Sequence, residues 1–401
     1  MGNPQALDSL FHEAVSAIDA GDVSALERLL AAHPRLVRDR LDSPGAWLRD
    51  KVGNARDGFF RQPYLLWFVA EDPARNNKLP KNIAQVAGTI IQTAEREGVD
   101  SLREQLDYAL RLVSWSWVAR KCDVQIELID VLIDAGASPD GNPDNALVNG
   151  NFAAAAHLVE HGAKLTLATA LCLERWDDVT RLGRTASASE KQFGFILAAL
   201  NGRAKALRRM IDFGVDLNSP SADLYSHATA LHHAVCSGSL EAVKVLVEAG
   251  AELGTKDRAW DGTPLEWAEH YISEAKGDDA GKPYPEIAAY LREKSANQTT
   301  STVVDAKELP TRLSLEEYER LANDLVGAYR SGDAMTMQRL KDHFQFSVTW
   351  DQLRAQVQEH LHTLPNAESR IANFVLADAQ HLIARLHGFE SWAELVKHIE
   401  P

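Results

Sequence analysis

At 401 residues, 45% of them hydrophobic, the chain is too apolar to be disordered along its length and has room for more than one folded unit. Its 57 acidic against 42 basic side chains leave a formal charge of -15, which excludes a broadly basic surface and disfavours nucleic acid and membrane as partners. Cys122, Cys172 and Cys236 are odd in number and far apart, so neither a disulfide framework nor a cysteine-based zinc site is expected. No stretch approaches the ~18 apolar residues of a membrane span. Residues 1–11 lack the basic-then-apolar pattern of a secretory signal, and the expectation is a cytoplasmic protein.

Along the chain, Ala20-Gly21-Asp22 is followed by Leu26, Leu29 and Leu30, and residues 7–37 read as an atypical terminal helix pair closed by His33-Pro34. The segment 41–62 holds Asp42-Ser43-Pro44-Gly45 and Gly53-Asn54 and reads as a long inserted loop or finger. A helix starting within 62–70 pairs with one over 82–97, and the next pair runs over 101–120 and 124–135. Gly150 is followed by Ala155, Leu158, Val159 and Gly162-Ala163. Gly202 is followed by Leu207, Met210, Ile211 and Gly214, and Gly238 by Val243, Leu246, Val247 and Gly250-Ala251. The offsets are 5, 8, 9 and 12 each time. A period of about 33 residues signals a solenoid of helix pairs, none of which can bury its apolar face alone. Between these units the pattern degenerates: a helix starts at 169–173, and Trp176-Asp177-Asp178 stands in place of a Gly turn.

In the most regular unit, Thr229 caps a helix whose Leu231, Ala234 and Val235 face inward, and Gly238 ends it with a left-handed turn. Pro264 opens the next helix at a position that needs no amide hydrogen. A polar excursion at 273–285 precedes a last helix at 286–294. These boundaries place a solenoid at 7–295, a Ser/Asn/Gln/Thr-rich linker at 296–310 and a helical C-terminal module at 311–401. In that module Ser314 and Glu317 form a capping box, Gly332-Asp333 with Met337 and Leu340 repeats the offsets 5 and 8, and a helix starts at 349–352. The end is a helix from 378, a stop at Gly388 and a second capping box at Ser391/Glu394.

Thr229-Ala230-Leu231-His232-His233-Ala234-Val235, Thr263-Pro264-Leu265-Glu266-Trp267-Ala268 and the closing turns at 134–137, 160–163 and 248–251 resemble the ankyrin repeat. Ala384-Arg385-Leu386-His387-Gly388-Phe389-Glu390-Ser391-Trp392 resembles the ending of many bacterial ankyrin-repeat proteins, which implies a bacterial source. The resemblance implies an all-α ankyrin-repeat solenoid with a small helical C-terminal module. It also implies a noncatalytic scaffold that holds a protein partner in a concave groove edged by finger tips. Carried over position by position, the binding residues are Leu200 and Asn201, then Tyr225, Ser226, Cys236 and Ser237, then Ala259, Trp260, His270 and Tyr271. The acidic balance points to a partner with a basic patch; oligomeric state is not specified.

Signals for chemistry are sparse. His232 and Cys236 share a helix face, but no further ligand has metal-site spacing, and His232 stands where the ankyrin histidine bonds neighbouring turns; no metal ligand is assigned. Nucleophile motifs are absent, and Gly277-Asp278-Asp279-Ala280-Gly281-Lys282 is a polar turn rather than a phosphate loop. No catalytic residue or cofactor is assigned. The rival reading is a small-molecule or catalytic site assembled where the 41–62 insertion meets the groove. Arg203, Lys205, Arg208 and Arg209 read as a solvated face. Of the other tryptophans, Trp67, Trp267 and at least one of Trp115 and Trp117 are expected in the core, as are Phe389 and Trp392 of the tail.

Overall fold

The computed structural model describes residues 4–274, 281–301, 314–331 and shorter stretches between 336 and 399. Residues 1–300 and 301–401 form separate compact units. Among the described residues no helix is long and apolar enough to cross a membrane.

The first unit is a succession of helical hairpins: α1 (Pro4–Ala20) and α2 (Val23–Ala32), α3 (Ala46–Val52), a 3-10 helix (Leu65–Ala70) with α4 (Ile83–Arg96), and α5 (Leu102–Trp115) with α6 (Trp117–Lys121) and α7 (Gln125–Asp134). It continues through α8 (Asn142–Val148) and α9 (Phe152–Glu160), α10 (Leu167–Cys172) and α11 (Trp176–Gly183), and α12 (Ala188–Leu200) and α13 (Ala204–Asp212). It ends with α14 (Ala230–Ser237) and α15 (Leu240–Glu248), then α16 (Pro264–Glu274) and α17 (Tyr284–Ser301). First members touch first members: α5, α8, α10, α12, α14 and α16 follow one another as a row. Second members do the same through α2, α4, α7 and α9, and again through α13 and α15. Each hairpin thus lends its neighbour an interior, and one continuous core runs from Leu7 to Leu291. Helix α17 continues to Ser301, into the segment expected as a linker.

The turn inside each hairpin needs a residue in the left-handed region. Gly21, Gly150, Gly202 and Gly238 supply it, with φ between 62 and 73°. Asp123 (φ 58°) and Glu174 (φ 56°) hold the same conformation without being glycine. The degenerate unit is therefore corrected: its turn is at Glu174, and Trp176-Asp177-Asp178 is the first turn of α11. Val179 and Leu182 follow Glu174 at the offsets 5 and 8 of the other units. Expected effects are opposite in sign. Gly202→Ala should lower stability by about 2 kcal/mol, because a side chain is strained in that region and would crowd Ser239; its Cβ would lie 2.7 Å from that residue's Cβ. Glu174→Gly should raise stability by up to about 1 kcal/mol, since the ion pairs it loses, to Arg203 and Lys205 at 3.8 and 3.9 Å, are long and exposed. Denaturant unfolding of both variants checks the pair.

The 41–62 segment is not a free finger. It holds α3, and its Leu41, Leu48 and Phe60 are fully buried in the main core. The Asp8 carboxylate anchors it by accepting the Gly45 amide (2.9 Å) and the Trp47 indole N–H (2.7 Å). Apolar side chains at 41, 48 and 52 give the segment an inward face that its turn residues mask in the sequence. Trp67 is buried as expected, but Trp115 and Trp117 are 38% and 39% exposed, and neither is a core residue. They flank the break at Ser116, whose freed carbonyls are satisfied when the Gln125 side-chain amide donates to Val113, Ser114 and Ser116. The basic face is partly neutralised: Arg203 lies over the Phe152 ring and Arg208 pairs with Glu241.

In the second unit α18 (Leu315–Ser331) opens on the Ser314/Glu317 capping box. It packs against α20 (Leu376–Leu386), which follows the short α19 (Ala367–Ala372) and precedes α21 (Trp392–Ile399). Leu321, Leu325, Phe374 and Ile383 centre this smaller core, and Trp392 packs at its edge. Arg330 donates to the Phe374 carbonyl, and Arg339 pairs with the buried Asp324. The turn at 332–333, the helix start at 349–352, the stop at Gly388 and residues 275–280 of the 273–285 excursion lie outside the described residues.

Candidate functional site

A cavity of about 860 Å3 opens on the exposed face of the first-row helices. The ends of α8 and α12 contribute Asn149 and Leu200. The loop before α14 brings Tyr225 and His227, and α14 itself His233 and Cys236. The finger between α15 and α16 adds Trp260, Asp261 and Gly262, and α16 adds Glu266, Trp267, His270 and Tyr271. The 41–62 segment contributes nothing to this lining.

Asp257 is the residue on which the finger is built. Its buried carboxylate accepts the amides of Ala259 and Trp260 (2.8 Å each) and Gly262 (3.0 Å), and the Trp267 indole N–H (2.9 Å). Burial pushes its pKa up, but these hydrogen bonds outweigh burial and hold the carboxyl below its ordinary range. His232 locks the finger to the hairpin behind it. Its Nδ1 accepts from the Thr229 hydroxyl (2.8 Å), and its Nε2–H donates to the Gly262 carbonyl (3.0 Å). Both ring nitrogens are thereby engaged, which leaves none for a metal. The Arg258 amide adds a bond to the His227 carbonyl at 2.8 Å.

These bonds raise a wall of aromatic rings. Trp260 meets His227 edge-on at 5.3 Å between centroids and Trp267 at 5.6 Å, while His233 lies 5.8 Å from Tyr225. Trp267 was expected to be core; it is half-buried and lines the cavity instead. Trp260 remains 70% exposed, which sets it apart from the other rings of the wall. Tyr271 stacks on Tyr284 at 4.9 Å and donates to the Cys236 thiol at 3.1 Å. His233 is the unusual member. It is buried and its Nε2 has no hydrogen-bond partner. Burial first, then the neighbouring His227 and His232, push its pKa down to about 4, so the ring is neutral at physiological pH.

Of the ten positions carried over from the sequence, the cavity gathers Leu200, Tyr225, Cys236, Trp260, His270 and Tyr271. The other four lie outside its lining. Asn201 donates its side-chain amide to the Leu147 and Leu197 carbonyls, and Ser237 turns its hydroxyl back to the Ala234 carbonyl. Ser226 and Ala259 are exposed. His227, His233, Glu266 and Trp267 also line the cavity and were not assigned to binding; they reach it through loop closures that local spacing does not encode. Asp257 was missed as well, although an Asp placed before an Asp261-Gly262 turn is a recognisable anchor for backbone amides.

Residues 171–257 match the family model of ankyrin repeats (3 copies). Human protein phosphatase 1 regulatory subunit 27 is 35% identical over 102 residues, which cover 25% of this chain and 57% of that protein. The chain thus spans a little over half the length of the curated relative it matches. Among solved structures, the ankyrin repeat domain of human ASB11 is similar at 16% identity, covering 57% of this chain and 96% of that one with a TM-score of 0.27. The ankyrin repeat domain of Bcl-3 is similar at 18% identity, covering 57% and 97%, with a TM-score of 0.24. Ankyrin repeats are therefore present in this chain, and the stacked, glycine-punctuated hairpins of its first unit form an all-α ankyrin-repeat solenoid.

Proposed function

We propose that the protein is a noncatalytic scaffold that binds a protein partner on the face of its first-row helices, with Trp260 as the anchor and a basic side chain of the partner seated in the cavity. The exposure of Trp260 carries this reading: a large ring held in place by its own backbone bonds, yet left in water, is the kind of group that dominates binding energy once covered. The charge of the lining supports the occupant. Asp261 and Glu266 are carboxylates at the rim, Asp261 already paired with Lys256 at 2.7 Å, so Glu266 is the acidic group offered to a partner, and no Lys or Arg is among the lining residues. A guanidinium can stack on Trp260 while donating to Glu266.

The test is selection from a random-peptide display library on the full chain, with the binders measured by calorimetry. Enrichment of Arg or Lys, with a loss of about 30-fold or more in Trp260→Ala, would support the reading. The melting temperature of that variant should stay at the wild-type value. Binders without basic residues, or binders indifferent to Trp260→Ala, would overturn it.

The cavity also falls within the volume of small-molecule sites, so a copurifying metabolite seen by native mass spectrometry would favour that second reading. The Gly388-Phe389 ending supports a bacterial source.

A further inference from the structure

We propose that Asp130, His157 and His161 form a binding site for one transition-metal dication of the zinc class, joining two neighbouring repeats. None of the three lines the Trp260 cavity, and this inference stands apart from the scaffold reading. His157 lies on α9 and His161, four residues on, is its C-cap, which puts both rings on one side of the helix end, 4.2 Å apart between centroids. Asp130 comes from α7, the adjacent member of the second-helix row. Its Oδ1 is 2.5 Å from the His157 Nε2 and 3.8 Å from the His161 Nε2, and one donor atom from each residue lies within 4.8 Å of the others.

Tautomer adds a separate argument. The His161 Nδ1 lies 2.9 Å from the His157 backbone carbonyl. A carbonyl only accepts, so Nδ1 carries the proton and the Nε2 lone pair is left towards Asp130. Metal-ligating histidines are commonly oriented in this way. Two imidazoles and a carboxylate suit Zn2+, Co2+ or Ni2+, with water in the fourth position. Tetrahedral zinc separates its ligand atoms by roughly 3.3 Å. The observed 2.5 and 3.8 Å straddle that value, so small side-chain rotations suffice once the proton between the His157 Nε2 and Asp130 is released to water as the metal enters. Partial exposure of all three residues gives the ion a way in and room for its water.

The experiment uses the full untagged chain, stripped with EDTA and titrated with Co2+ and Zn2+. One equivalent of Co2+ should produce visible bands of a tetrahedral nitrogen/oxygen site, and micromolar Zn2+ should raise the melting temperature by several degrees. His161→Ala should abolish both effects while keeping the wild-type melting temperature without metal, and Asp130→Asn should weaken binding at least tenfold. Binding only at millimolar metal, or binding equally tight in His161→Ala, would overturn the site. Should His161→Ala prove unstable, His161→Gln provides the same comparison.

Discussion

Replacing Asp257 with alanine should lower stability by about 3 kcal/mol and release the finger that carries Trp260. Four donors lose their acceptor at once: three backbone amides and the Trp267 indole. The exposed tip lets water replace the carboxylate at Ala259 and Trp260, so the loss should concentrate at Gly262 and Trp267, which are half-buried. Hydrogen bonds to a charged acceptor contribute about 1.5–3 kcal/mol each, which sets the scale for those two. Denaturant unfolding gives the stability change, and near-ultraviolet circular dichroism reports whether the tryptophans lose their fixed setting. The carboxyl is held below its ordinary range, so its contribution is present at neutral pH and fades as pH falls through that lowered value. Unchanged stability in Asp257→Ala would show that the finger is held by its helix junctions alone.

Acidification should expose the second large effect, at His233. In the unfolded chain this ring protonates near its ordinary value of 6.5, whereas in the fold protonation waits until about 4. The unfolded state therefore binds the extra proton across that interval. Stability is intact above about 6.5 and drains away as pH falls towards about 4, by a total on the order of 3 kcal/mol. His232, also held below its usual range by burial, adds to the same slope. Comparing His233→Leu with the parent isolates the ring. The variant should show a flatter acid profile. An acid profile as steep in His233→Leu as in the parent would show that this ring does not set the slope.

The hairpin stack was readable because a left-handed turn is cheapest for glycine and leaves its offsets in the sequence. Where Asp123 and Glu174 adopt that turn, the same physics is at work without its usual marker. The apolar offsets, Leu128 after Asp123 and Val179 after Glu174, still held the signal. The cavity lining was legible at Trp260, Tyr225 and Tyr271, whose side chains are long enough to reach it. Ser237 and Asn201 fall outside that lining because positional equivalence fixes only the backbone, and their short polar groups satisfy nearby carbonyls. His233, Glu266 and Trp267 became part of the cavity through bonds spanning about a full repeat, such as His232 to Gly262, and no local window contains those.

The two bonds that tie the finger beside Trp260 to the preceding repeat, from Arg258 to His227 and from His232 to Gly262, make the position of the indole a matter of loop length. One inserted or deleted residue in either loop would re-aim the indole by several ångströms while leaving every helix seated. Such a chain can acquire a new specificity by trimming its edges, without renegotiating its core.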